Sequence, residues 1–254
     1  FFLHPHPANP DSSTSRGLGD VYKRQFLLFF SIGILSADSF AELKESYEAD
    51  GPFSAGKKLA KLKPGIHYLE AINSSQNELI IAVHGWKTNG FEWVYPLIEL
   101  NNEANRIAFF RWKTTGCPNK ATEELLDIIN LQISNYDKIT LMGHSYGGII
   151  LANLMQKDFS KQIDMHVIAS GISGDPRLNS FCGYEAPTKT GINVNGYQWM
   201  TQKHLDGAFK DLRTDTQIQN IQGVSAVRLP EEYKGNTLSH NRSISWLVDF
   251  LNSN

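Results

Sequence analysis

Five consecutive residues, Gly143-His144-Ser145-Tyr146-Gly147, set a serine between two glycines. A serine hydroxyl is a weak nucleophile at neutral pH and becomes a strong one when it stands free beside a base. Gly-x-Ser-x-Gly achieves this where a strand runs into a sharp turn and a helix leaves it. The flanks fit that context. Ile139-Thr140-Leu141-Met142 is an apolar run with β-branched members, and residues 149–155 are apolar and helix-like. Larger side chains on either side of the serine would collide with the neighbouring strand or helix, so the strained turn calls for glycine. Gly148 adds a further small residue where the helix begins. The chemistry implied is covalent catalysis through Ser145, which needs donors for an oxyanion, a base, and an acid to orient the base.

The donors are expected from His84-Gly85-Trp86. Leu79-Ile80-Ile81-Ala82-Val83 is a continuous apolar run, the pattern of a strand buried on both faces, and it leads straight into His84. A loop leaving such a strand lies beside the serine turn. There the backbone N–H of Trp86 can meet the developing oxyanion, with the N–H of Tyr146 as the second donor. Taken alone, His-Gly is also an ordinary turn.

The elements that must position these groups alternate along the chain. Residues 42–65 are polar, broken by Gly51-Pro52 and Lys63-Pro64-Gly65, with a short helix expected around 55–63. Strands are expected at 66–72, 79–83, 107–110, 139–142, 165–169, 192–197 (weakly) and 224–229. Helical spacing falls at 91–104, at 121–133 with Leu125, Leu126, Ile129 and Ile133 on one stripe, at 201–212, and at 244–251. Phe91, Trp93 and Tyr95 read as a packed helix face in preference to a substrate mouth. Residues 181–191 have no clear period and fall where a cap or lid would be inserted. Strands and helices alternating at this spacing specify an α/β class with a mostly parallel central sheet flanked by helices.

With the serine central and His240 just before the closing helix, residues 66–254 resemble the α/β-hydrolase superfamily, in the form of a small, secreted-type esterase- or lipase-like member. The stretch VHGWKTNGFEWV is similar to the oxyanion strand of animal triglyceride and lipoprotein lipases; its surroundings look more like compact bacterial α/β hydrolases of undefined substrate. The resemblance implies the α/β-hydrolase fold and the order serine, acid, histidine. Of the histidines after Ser145, His166 lies within a strand and His204 comes too early, which leaves His240 as the base. Asp158, Asp164, Asp175, Asp206, Asp211 and Asp215 lie between them. Asp158 and Asp164 belong to the wrong end of the sheet, and Asp211 and Asp215 read as solvated. Asp206 follows the weak strand, the superfamily's usual acid position, and is favoured. Asp175, in Gly-Asp-Pro after the preceding strand, matches the acid position of the animal lipases and is the alternative.

The implied activity is hydrolysis of carboxylic esters, small-molecule or lipid, through a Ser145-Asp206-His240 triad and an acyl-enzyme. An acyltransferase or amidase on the same fold, or a catalytically silent binding module, is the competing reading. No cofactor or metal is expected, since the chain has neither His-Glu-x-x-His nor Cys-x-x-Cys and no phosphate-binding glycine loop. A net charge of −2 with 20% charged residues gives no basic footprint for nucleic acid.

The N-terminal region reads differently. Residues 15–25, SRGLGDVYKRQ, resemble the translation of a transposase-type sequencing adapter, and residues 1–14 are expected to be read-through from the same chimera. Residues 26–41 read as a truncated signal peptide: an apolar block shorter than the roughly 20 residues of a membrane span, then small residues, with cleavage after Ala41 or, second, Ala37. The domain is then residues 42–254, exported to a secreted or periplasmic location, with no membrane span in the mature chain. In an oxidising compartment the two cysteines, Cys117 and Cys182, can pair.

Overall fold

A computed structural model describes residues 39–253. The adapter-like stretch, residues 1–25, and residues 26–38 of the expected signal peptide lie outside the described residues.

Seven strands form one sheet in the order β1-β3-β2-β4-β5-β6-β7. They are β1 (Gly65–Tyr68), β2 (Glu78–Val83), β3 (Asn105–Arg111), β4 (Lys138–His144), β5 (Ile163–Ile168), β6 (Val194–Met200) and β7 (Val224–Arg228). β1 pairs antiparallel with β3, and every other pairing is parallel. A parallel sheet is covered on both faces, so its central strands must be apolar in both directions. β2 obeys this: Leu79, Ile81 and Val83 enter one core, and Ile80 and Ala82 enter the other.

The two cores divide the helices. α4 (Asn119–Gln132) and α5 (Tyr146–Met155) pack on one face through Leu125, Ile129, Ile150 and Leu154. On the other face lie α1 (Ser39–Asp50), α2 (Pro52–Ala60), α3 (Phe91–Leu100) and α7 (Arg242–Asn252), through Leu43, Leu59, Leu97 and Leu247. Trp93 is fully buried within α3, so it belongs to a packed helix face. Among the described residues, no helix is long and apolar enough to cross a membrane.

Three stretches differ from the sequence expectation. Residues 42–65 form two helices where at most one short helix was expected. α1 and α2 each bury a narrow set of residues, Leu43 on one and Ala55 and Leu59 on the other, so a polar composition conceals their packing. The first strand ends at Tyr68 and does not reach residue 72. Residues 201–212 hold only a single 3-10 turn, Lys203–Leu205, followed by tight turns. Asp206 ends that turn: its Oδ1 accepts the Ala208 N–H at 2.8 Å, an Asp-turn that competes with helix continuation.

Residues 176–191 open with α6 (Pro176–Cys182), which stops where Gly183 adopts φ 62°. They are anchored at two points. Cys182 is disulfide-bonded to Cys117, and the Tyr184 hydroxyl donates to Ile172 O at 2.6 Å. A two-stranded hairpin, β8 (Glu232–Tyr233) with β9 (Asn236–Thr237), precedes α7.

Candidate active site

β4 delivers Ser145 to the carboxyl edge of the sheet, and α5 begins at the next residue. Ser145 has φ 55° and ψ −121°, a backbone conformation that costs a non-glycine residue on the order of 1–3 kcal/mol. The surroundings enforce it. A Cβ on Gly143 would lie 2.6 Å from Gly147 O, and one on Gly147 would lie 2.2 Å from Val83 O, so β4, the turn and α5 approach more closely than any other residue allows. The Ser145 N–H donates to Ile168 O at 2.9 Å, which ties the turn to β5.

His84-Gly85-Trp86 leaves β2 beside this turn. A Cβ on Gly85 would lie 2.9 Å from Ser145 Cβ, so the loop touches the Ser145 side chain. His84 Nε2 accepts from Arg111 Nη1 at 2.7 Å and from the Trp112 N–H at 3.2 Å, and its Nδ1–H donates to Gly85 O at 2.7 Å. Burial, helped by the Arg111 cation, depresses the His84 pKa to about 3, so the ring stays neutral in this tautomer. A peptide unit is planar, so holding Gly85 O also fixes the N–H of Trp86 on its far side. The sequence pattern located this loop but carried no sign of Arg111, which orients the histidine from the neighbouring strand.

On the opposite flank, His240 Nδ1 meets Asp206 Oδ2 at 2.9 Å. Asp206 is fully buried, and its carboxylate also accepts from Thr201 Oγ1 at 2.5 Å. Gln217 brackets Thr201 in turn, with Oε1 accepting the Thr201 N–H at 2.9 Å and Nε2 donating to Thr201 O at 3.1 Å. Arg228 reaches Thr201 O at 2.5 Å and pairs with Asp215 at 2.9 Å. Thr201, Gln217 and Arg228 were not foreseen, because nothing in their types or spacing marks them.

His240 is tied on its own side. Its backbone carbonyl accepts from Ser243 Oγ at 2.6 Å and His144 Nε2 at 3.1 Å. Burial, reinforced by the neighbouring His240, pushes the His144 pKa well down, so His144 acts here as a neutral donor. Tyr95 and Tyr233 both donate to Asp249 at 2.5 Å, and Lys234 reaches the same carboxylate at 2.7 Å; this clasp holds the β8–β9 hairpin against α3 and α7, just ahead of His240.

The other expected candidates are held by other partners, and Asp175 lines the larger cleft without meeting His240. Asp175 caps α6, accepting the N–H groups of Arg177 and Leu178 at 2.8 and 2.9 Å. Asp158 accepts the Ile192 N–H, Asp164 binds Asn195 and Lys138, and Asp215 binds Arg228, so Asp215 is paired and not solvated as expected. His166 is buried and accepts from Trp199 Nε1 at 3.0 Å, and His204 is exposed beside Glu231.

A strained serine turn after a central parallel strand, with a histidine–carboxylate pair from the last loops, completes the topology. The chain has the α/β-hydrolase fold. Two openings meet at its serine turn. A cleft of about 970 Å³ is bounded by Ser145, Trp86, Tyr146, Ile149, Phe209 and Arg213 among others. A smaller cavity of about 120 Å³ is lined by Ser145, His240, His144 and Glu92. The Cys117–Cys182 disulfide joins the loop before α4 to the end of α6.

No protein-family model matches the chain. Over 112 residues it is 26% identical to a proline iminopeptidase of Saccharolobus solfataricus, a match covering 39% of this chain and 35% of that protein, so the chain aligns with about a third of that relative's length. Among solved structures of this α/β-hydrolase architecture it is similar to an alpha-beta serine hydrolase homologue from Coxiella burnetii, with 15% identity, 74% of this chain and 88% of that chain covered, and a TM-score of 0.43. It is also similar to Est1E from Butyrivibrio proteoclasticus, with 11% identity, 71% and 88% covered, and a TM-score of 0.46.

Proposed function

We propose that this protein is a serine hydrolase that cleaves carboxylic esters. The observation that carries the reading is the 2.9 Å contact between His240 Nδ1 and a fully buried Asp206 carboxylate, at a histidine that lines the same cavity as Ser145. An aspartate so placed holds the imidazole with Nδ1 protonated, which leaves Nε2 free to act as base.

His240 Nε2 removes the proton of Ser145 Oγ as the oxygen attacks the ester carbonyl. The carbonyl electron pair moves to oxygen, where the N–H groups of Trp86 and Tyr146 stabilise the oxyanion. The intermediate collapses, the carbon–oxygen bond to the alcohol breaks, and the imidazolium gives its proton to the departing oxygen. Water then loses a proton to His240, attacks the acyl-enzyme, and releases the acid as Ser145 regains its proton.

Export is part of the same proposal. The Cys117–Cys182 bond supports it, because stable disulfides belong to oxidising compartments.

The test is covalent. A fluorophosphonate should label wild-type protein at Ser145, located by peptide mass spectrometry, and Ser145→Ala should lose both the label and p-nitrophenyl butyrate hydrolysis. Equal hydrolysis by wild type and folded Ser145→Ala would refute the assignment.

A further inference from the structure

We infer that His144, the residue before Ser145, is a positioning residue that ties the backbone of His240 to the strand carrying the serine. This deepens the proposed esterase reading and rests on it.

The three groups of the site come from separate segments: Ser145 follows β4, Asp206 lies beyond β6, and His240 precedes α7. The bond from His240 Nδ1 to Asp206 sets the rotation of the ring, but it does not tie the ring to Ser145. A displacement of about 1 Å between reacting groups can cost roughly a hundredfold in rate. The base therefore needs a link between its own main chain and β4.

Ser243 and His144 both reach the His240 carbonyl, and the two bonds differ in kind. Ser243 Oγ donates at 2.6 Å from three residues on, in the first turn of α7, so that bond travels with His240. His144 Nε2 donates at 3.1 Å from a residue 96 positions away, at the end of β4 and joined to Ser145 by a peptide bond. A carbonyl oxygen only accepts, so the His144 proton is on Nε2. The two imidazoles also meet, with centroids 4.6 Å apart and planes at 54°. Phe209 meets the His240 ring edge-on at 5.5 Å.

The other ring nitrogen of His144 argues against a packing role. His144 is only 2% exposed, and its Nδ1 is buried with no hydrogen-bond partner among the described residues. A buried nitrogen left unpaired lowers stability. A leucine would fill similar space without that cost, so packing does not account for a histidine here, whereas the Nε2–H bond to His240 does.

The experiment measures kcat and KM on p-nitrophenyl butyrate for wild type, His144→Phe and His144→Gln, each in the full chain. Phenylalanine keeps a ring and loses the donor; glutamine offers an N–H at a similar reach. His144→Phe should lower kcat about ten- to a hundredfold with KM within about twofold, and His144→Gln should recover most of the loss. A histidine with only a structural role would lower the unfolding midpoint in both variants and leave kcat unchanged wherever they are folded; that result would overturn the inference, as would a glutamine variant no better than phenylalanine. The wild-type protein carries a further test should neither variant fold. Ring 15N NMR, with His144 assigned through its Cβ, should show the neutral Nε2–H tautomer at pH 7, and the Nδ1–H tautomer would overturn the inference. An active wild type with an unimpaired His144→Phe removes this inference alone, whereas a folded wild type that does not cleave the ester removes the esterase reading with it.

Discussion

Ser145 and Asp206 both sit at the carboxyl edge of the sheet, yet they are held by opposite means. Ser145 is fixed by backbone: Gly143 and Gly147 bring β4, β2 and α5 into contacts of 2.2–2.7 Å for any added Cβ, and the serine's φ of 55° follows. Asp206 is fixed by side chains. It lies beyond β6 in a stretch of turns, and Thr201, Gln217 and Arg228 form the frame around it. Close backbone packing leaves a glycine signature in the sequence, whereas a polar frame drawn from positions 201, 217 and 228 leaves none. The two constructions should also fail differently. Damage to the first should cost the fold, and damage to the second should cost the reaction.

The largest effect expected is at Gly147. Gly147→Val places atoms within 2.2 Å of Val83 O, and neither strand nor helix can withdraw. A loss of about 5 kcal/mol or more is expected, close to the whole stability of an ordinary domain. Chemical denaturation, or the yield of soluble protein, reads it, and a stably folded variant would break the contrast. Next is the disulfide, which closes a loop across 65 residues between α6 and the segment before α4. Replacing both cysteines by serine should lower stability by about 3 kcal/mol in urea titration. Because neither cysteine lines a cavity at Ser145, kcat should stay within about twofold at temperatures where the variant is folded.

Acid should weaken the β2–β4–β5 centre. Burial lowers His84 to about 3 and His166 to about 4, from an unfolded value near 6.5. Below pH 6.5 the unfolded chain binds these protons first, so stability is full above that pH and falls as pH drops towards the folded values. Each histidine contributes a slope of up to about 1.4 kcal/mol per pH unit in that window. Unfolding midpoints measured from pH 7 to 4 check it; a flat profile would show that these rings are not buried neutral. The smallest effect belongs to the acid frame. Gln217→Ala should lower kcat about tenfold, or about 1.4 kcal/mol, with KM little changed and the fold retained. A change in KM alone would place Gln217 outside the orienting frame.

The same contrast accounts for what was legible in the sequence. The strands of the centre could be read because burial on both faces demands unbroken apolar runs such as Leu79 to Val83. The serine turn and the His84-Gly85 loop were readable because tight approaches select glycine. α1 went unforeseen because one buried leucine in twelve residues leaves a helix polar in composition. Residues 201–212 have helical composition but fold as turns because the side chain of Asp206 captures its own backbone. Sequence favoured Asp206 but kept Asp175 as the alternative, since both follow strands at the correct edge. Only three dimensions show that one faces His240 and the other caps α6.

The central claim is that Asp206, and not Asp175, orients His240. Asp206→Asn and Asp175→Asn should be compared on p-nitrophenyl butyrate, with folding checked by circular dichroism. The account predicts a fall in kcat of about 10³- to 10⁴-fold for Asp206→Asn and a change of no more than a few fold for Asp175→Asn. Equal losses, or the larger loss at Asp175, would contradict it.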